Sequence, residues 1–249
     1  MQGILCLLAA ALLPAAEAGA REIPAEALGV VRYEIRHVWG ALNSKVADAT
    51  ISLEETVRDH QAAYHSAAVI RTQSIFRLFL NAEYTADCYL SRDDLSPLYF
   101  INPVKRGGAA GKFEYTYDAG TRTIASDTVL PGKEPEKAVF PLDGRTMDLL
   151  TLLQYARFHA FTAADKPLDL HLLMSGKSVA ARLTWQGADP DKFPGENAER
   201  FLLEMTERGL MENGSGNEIH VWRSAGPDRR ILGLEAAISA GTMVVRITE

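Results

Sequence analysis

Leu168-Asp-Leu-His-Leu-Leu-Met-Ser-Gly-Lys-Ser-Val-Ala-Ala-Arg-Leu-Thr-Trp185 is the stretch on which the fold reading turns. Leu168, Leu170, Leu172 and Met174 fall on alternate positions, Ser175-Gly-Lys177 interrupts them, and Val179, Ala181, Leu183 and Trp185 take up the same alternation. A period of two puts such side chains on one face of an extended chain, and a Ser-Gly step is a turn signal. The segment therefore predicts a β-hairpin with one buried face.

The same period recurs on both sides of it. Val31, Tyr33, Ile35, His37 and Trp39 alternate, as do Ala47, Ala49, Ile51 and Leu53, and then Phe113, Tyr115 and Tyr117. Asp118-Ala-Gly-Thr121 reads as a turn in which Gly120 can take positive φ, with Thr123–Val129 as the returning strand. Phe201–Met205, Ile219–Arg223, Ile231–Ile238 and Met243–Ile247 continue the series, with Ala240-Gly241 as the last turn. Many strands without a strand–helix–strand rhythm argue for antiparallel β and against a nucleotide-binding parallel sheet.

One segment breaks the pattern. Thr146–His159 predicts a helix capped by Thr146, with Asp148 in its first turn where the macrodipole favours a carboxylate. Met147, Leu150, Leu153, Tyr155 and Phe158 make it apolar on more than one side, so it is expected between two surfaces and not on an outer face. Ser74–Leu80 fits helix or strand equally. The expected fold is mainly β: a strongly curved antiparallel sheet, like an unclosed barrel, with one or two helices packed in its concavity.

The 249 residues carry a formal net charge of −6, with 47% hydrophobic and 23% charged residues. That composition is globular, and its acidic balance argues against nucleic-acid binding, which needs a basic stripe. Ile4–Ala15 is an uncharged apolar run followed by the small-x-small patterns Ala16-Glu-Ala18 and Ala18-Gly-Ala20. Such a run is too short for a membrane anchor but suits a secretory signal, although Met1-Gln2-Gly3 lacks the usual positive charge. We expect a signal peptide over 1–20, cleaved after Ala18 or Ala20, then one β-rich domain over 21–249 in the periplasm without a transmembrane anchor. Cleavage would leave Cys88 as the sole cysteine, expected to be a buried, inert thiol.

Several short matches in chain order carry a family resemblance. Tyr33, Trp39 and Gly40 open it, followed by Leu95-Ser-Pro-Leu-Tyr99 and Tyr115-Thr-Tyr-Asp118. Asp148-Leu-Leu150 with Tyr155 and Arg157 comes next, then Trp222-Arg-Ser224 with Asp228 and Arg229. In this order they span about residues 30–247, and the chain resembles the bacterial family catalogued as domain of unknown function 3108. Ala41-Leu-Asn-Ser44 stands where that family tends to have a second glycine. The resemblance implies an exported β-rich domain with no established catalytic residues, and an architecture similar to the outer-membrane lipoprotein carriers.

Chemistry-bearing motifs are sparse. None of His37, His60, His65, His159, His171 and His220 pairs with another histidine at zinc-ligand spacing, and no Cys-x-x-Cys, Gly-x-Ser-x-Gly or phosphate loop occurs. His60 and His65 are expected on opposite faces of one strand. Asp93-Asp94 before Ser96-Pro97 reads as turn chemistry, and Asp189–Glu196 as a solvated loop whose register fails as a calcium site. No catalytic residue, metal or cofactor is expected.

A curved sheet over a wedged helix leaves room for an apolar cleft. The candidate ligand-binding residues are Trp39, Tyr115, Tyr117, Leu150, Leu153, Arg157 and Trp185, with Arg157 as the charged group at the mouth. The leading expectation is a non-enzymatic binding or carrier module for a lipid-like or other small amphiphile. An envelope protein-interaction or scaffolding module comes second, and a hydrolase of an envelope polymer third.

Overall fold

The computed structural model describes residues 22–73, 83–106, 109–142, 145–206, 217–238 and 240–248. The expected signal segment, Ser74–Leu80 and most of the turn at Asn213–Asn217 lie outside these residues.

Eight strands form the first arm in chain order: β1 (Gly29–Trp39), β2 (Leu42–Arg58), β3 (Gln61–Thr72), β4 (Glu83–Ser91), β5 (Pro97–Arg106), β6 (Ala109–Asp118), β7 (Thr123–Val129) and β8 (Glu136–Pro141). After β9 (Thr146–Asp148) comes the helix α1 (Leu149–Phe158). The second arm runs through β10 (Leu168–Met174), β11 (Lys177–Ala188), β12 (Ala198–Met205), β13 (Glu218–Ser224), β14 (Ile231–Ile238) and β15 (Gly241–Ile247). All fifteen strands join one sheet in the order β8-β7-β6-β5-β4-β3-β2-β1-β15-β14-β13-β12-β11-β10-β9. Within each arm, strands that follow one another in the chain lie side by side, whereas β8 and β9 stand at opposite edges of the sheet, and β1 pairs with β15 where the arms meet. The sheet does not close on itself.

The opening hairpin falls as its alternation predicts. Leu168 pairs with Leu183, Leu170 with Ala181 and Leu172 with Val179, so their side chains share one face. Ser175 and Gly176 both take positive φ, at 50° and 77°, the requirement of a two-residue hairpin turn. At Asp118–Thr121 the expectation is corrected. Positive φ falls on Arg122 and not on Gly120, because the Asp118 carboxylate accepts the Gly120 and Thr121 N–H groups and sets the turn by itself.

The helix is also shorter than its apolar pattern suggests. Thr146, Met147 and Asp148 stay extended and pair in parallel with His171, Leu172 and Leu173 of β10, the one parallel pair among the described residues. A parallel neighbour needs a crossover, and α1 supplies it. Asp148 is the N-cap in place of Thr146, its Oδ1 accepting the Thr151 N–H at 2.8 Å. It thereby satisfies a donor that the first helical turn leaves unpaired.

Two large apolar clusters fill the interior, with a small third one at Ala198, Trp222 and Leu232, and α1 belongs to both large ones. Leu152, Tyr155 and Ala156 pack with Leu172, Phe201 and Val221 of the second arm. Leu150 and Phe158 pack with Leu53, Cys88 and Tyr115 of the first. Gln154 Nε2 donates to Ser66 Oγ on β3, while Arg223 on β13 reaches the last turn of the same helix. On a flat sheet β3 and β13, five places apart in strand order, would be separated by roughly 24 Å. A helix about 10 Å across can touch both only if the sheet curls around it.

Candidate functional site

Where the β2–β3, β4–β5 and β6–β7 turns gather, a cleft of about 700 Å³ opens beside α1. Leu95, Pro97 and Leu98 from the β4–β5 connection supply one apolar wall, with Tyr117 at the end of β6. Leu142, Arg145 and Met147, approaching and within β9, supply a second. Tyr155 and His159 of the helix complete it.

Tyr155 and His159 are one turn apart, so their rings lie on one helix face and stack at 4.7 Å between centroids. Phe161 meets both edge-on, at 6.3 Å and 4.7 Å, and leads into Phe201 at 5.0 Å. The Arg145 guanidinium lies over the Tyr155 ring, 5.0 Å from its centroid. Burial lowers the His159 pKa below its ordinary value, and the positive charge of Arg145 adds to this, so the imidazole faces the cleft neutral at pH 7. The Tyr155 hydroxyl is buried and has no hydrogen-bond partner among the described residues. The cleft's carboxylates are engaged at its rim. Asp94 accepts the Ser96 N–H at 2.9 Å, and Asp118 holds its own turn.

A buried polar frame holds α1 at this end. Arg157, 4% exposed, donates to the carbonyls of Ala27, Asp228 and Arg229 and to Gln154 Oε1. Arg223, 2% exposed, donates to the carbonyls of Ala156, Arg157 and His159 while its Nε pairs with Glu199 at 2.7 Å. A cation on the carbonyl end of a helix satisfies its unpaired acceptors and complements the macrodipole.

Of the residues singled out from sequence, Tyr117 lines the cleft. Tyr115 and Leu150 are buried in the first-arm cluster, and Leu153 and Trp185 pack against the second. Trp39 is 60% exposed at the far end of β1. Arg157 is the clearest correction: it is sealed beneath the helix on four acceptors, and the arginine bordering the cleft is Arg145. Tyr155 and His159 were readable as an i, i+4 pair on the helix. Arg145 was not, since it stands in a connection without periodicity and reaches the site only through tertiary folding.

The other motifs settle in structural positions. Cys88 is fully buried, and burial pushes its thiol well above the ordinary range. His60 occupies the β2–β3 turn at φ 67° and so is not a strand residue, whereas His65 on β3 stands between Glu54 and Asp87, 2.9 Å from each carboxylate. Asp189 accepts the Trp222 indole N–H at 2.9 Å. Among the described residues no group of three His, Cys, Asp or Glu side chains is placed to hold a metal ion, and no helix is long and apolar enough to cross a membrane.

The geometry defines a mainly β, barrel-like protein with an unclosed sheet wrapped around one helix. A solved structure bears this out: the β-barrel-like protein of domain of unknown function DUF1849 from Brucella abortus superposes with a TM-score of 0.51 over 88% of this chain and 95% of that one, at 11% identity. The sequence itself matches the family described as "Protein of unknown function (DUF3108)" over residues 32–247, and the chain belongs to that family. No curated protein matches it.

Proposed function

We propose that the protein is an exported periplasmic binding or carrier module that holds a small amphiphile, without enzymatic turnover, in the cleft beside α1. The observation that carries this reading is the cleft itself. Its volume of about 700 Å³ lies within the range of roughly 300–1,000 Å³ in which small-molecule sites fall. Its walls combine Leu95, Leu98, Leu142 and Met147 with polar groups that include Asp94, Asp118, Arg145 and His159, a mixture able to bind an apolar body and orient a polar end. The apolar run Ile4–Ala15 and the small-residue motifs behind it support export.

The interior between helix and sheet, where Leu150 and Leu153 point, is occupied by packed side chains, so the ligand is assigned to the open end. A hydrolase would gather carboxylates with perturbed pKa values in one groove. Among the described residues Asp148 is raised and fully buried under the helix start, while Asp48, Glu114, Asp118 and Asp169 are lowered, each by hydrogen bonds to different neighbours. The interaction reading draws on β8, an edge strand whose Val139 is 70% exposed and whose outer side could accept a partner's strand.

Native mass spectrometry of protein drawn gently from a periplasmic extract tests the proposal. A stoichiometric amphiphile released on denaturation, with a mature chain beginning at Gly19 or Arg21, is the expected result. A bare, uncleaved polypeptide would overturn both the carrier and the export readings.

A further inference from the structure

We infer that the ligand's polar end is an anion, a carboxylate or a phosphate monoester, received by Arg145 with the Tyr155 hydroxyl as second donor. This rests on the amphiphile reading above and names the chemistry that reading leaves open.

Three observations converge on it. Tyr155 is 7% exposed and borders the cleft, and its hydroxyl has no hydrogen-bond partner among the described residues. A buried hydroxyl left unpaired costs stability, and native structures rarely keep one without a use. The Arg145 guanidinium is held against that same ring, 5.0 Å from its centroid, and among the described residues no carboxylate pairs with it. Two carboxylates, Asp94 and Asp118, also line the cleft and oppose an anion, but each is anchored in its own turn, by the Ser96 N–H and by the Gly120 and Thr121 N–H groups, and neither pairs with Arg145. His159, stacked on Tyr155, is held neutral by burial and presents no competing charge. A planar cation at the cleft wall, lying over a ring whose buried hydroxyl is still unpaired, makes a receptor for an oxyanion, and the apolar walls of Leu95, Leu98 and Met147 take the chain behind it.

The test uses four probes with the same twelve-carbon chain: dodecanoate, dodecyl phosphate, dodecanol and dodecyltrimethylammonium, titrated into delipidated full-length mature protein by calorimetry. The expected result is that one or both anions bind at least about tenfold more tightly than dodecanol. Arg145→Gln then lowers the anions to the level of dodecanol while dodecanol binding stays unchanged, and Arg145→Lys recovers part of the loss. Tyr155→Phe weakens the anions by up to about tenfold and leaves dodecanol alone. Preference for dodecanoate points to a fatty acid, and preference for dodecyl phosphate to a lipid phosphate. Equal affinity for dodecanoate and dodecanol overturns the anion inference but leaves the amphiphile reading intact. Tighter binding of the ammonium probe overturns it in favour of Asp94 and Asp118. Binding of none of the four overturns both readings.

Discussion

The backbone N–H of Gly176 donates to the hydroxyl of Tyr115 at 2.9 Å. Tyr115 lies on β6 and Gly176 at the tip of the β10–β11 hairpin, and β6 and β11 are ten places apart in strand order. On a flat sheet that interval is roughly 48 Å. The bond therefore records how far the two arms have curled toward each other. Cross-arm contacts of this kind complete the enclosure that the strand ladder leaves open.

Tyr115→Phe removes that bond alone and is expected to cost about 1 kcal/mol. Tyr115→Ala also removes the ring stacked on Phe100, 5.4 Å between centroids, and is expected to cost about 3–5 kcal/mol. Urea denaturation of both variants separates the two contributions. A Phe variant as stable as the parent would show that the cross-arm bond adds nothing net.

Arg223 couples β13 to the end of α1, and it is buried with Glu199 as its charge partner. Arg223→Leu leaves that carboxylate and the Ala156 and Arg157 carbonyls without this donor, while the His159 carbonyl keeps Arg229, at an expected cost of about 3–5 kcal/mol. Arg223→Lys recovers little, since one ammonium cannot reproduce the fork that serves Glu199 and the helix together. Thermal unfolding with the double variant Arg223→Leu/Glu199→Leu checks the argument. Removing both charges should cost clearly less than removing the arginine alone.

Burial pushes the Asp148 carboxyl up to about 6 despite the Thr151 N–H and hydroxyl that favour its charged form. Between its ordinary pKa and about 6 the folded protein binds more protons at this site than the unfolded chain. Stability from Asp148 is therefore greatest at the acid end of that window and falls as pH rises through it, by roughly 3 kcal/mol in all. His159 acts with the opposite sign. Its lowered pKa means that acidification must charge a buried ring, so its contribution is lost as pH falls. Asp148→Asn keeps a good N-cap and abolishes only the first effect. The difference between parent and variant unfolding free energies, measured from pH 4 to 7, should slope downward with pH; a flat difference would contradict the buried-carboxyl argument.

Cys88 is sealed between β3 and β5, with its thiol pushed well above the ordinary range by burial. Ellman's reagent should leave it unmodified in the native protein at pH 8 and titrate it on adding guanidinium. Rapid native-state reaction would mean that this wall of the first arm opens locally.

The strands were legible wherever one face is buried and the other wet, as in the Leu168–Trp185 hairpin, because alternation is set by residues two apart. Strands β5 and β8 were missed. In Pro97–Arg106 both faces carry apolar or aromatic residues, which blurs the period, and in β8 the apolar Val139 is exposed while its neighbour Phe140 packs inward, so polarity does not follow burial. The helix was legible as apolar on several sides, yet its first turn belonged to β9. A Thr-Met-Asp step fits either element, and only pairing with His171–Leu173 decides.

The local properties of this protein, its strand faces, its hairpin turns and the unusually apolar helix, were determined by sequence alone, since each depends on neighbours a few residues away. The path of the sheet was not. Arg157 and Arg145 lie twelve positions apart with similar local chemistry, yet one is locked on Ala27, Asp228 and Arg229 and the other borders the cleft. What separates them is which distant carbonyls the curled sheet brings within reach. That is fixed by contacts across 70 to 130 residues of chain, which only the closing of the whole fold can make.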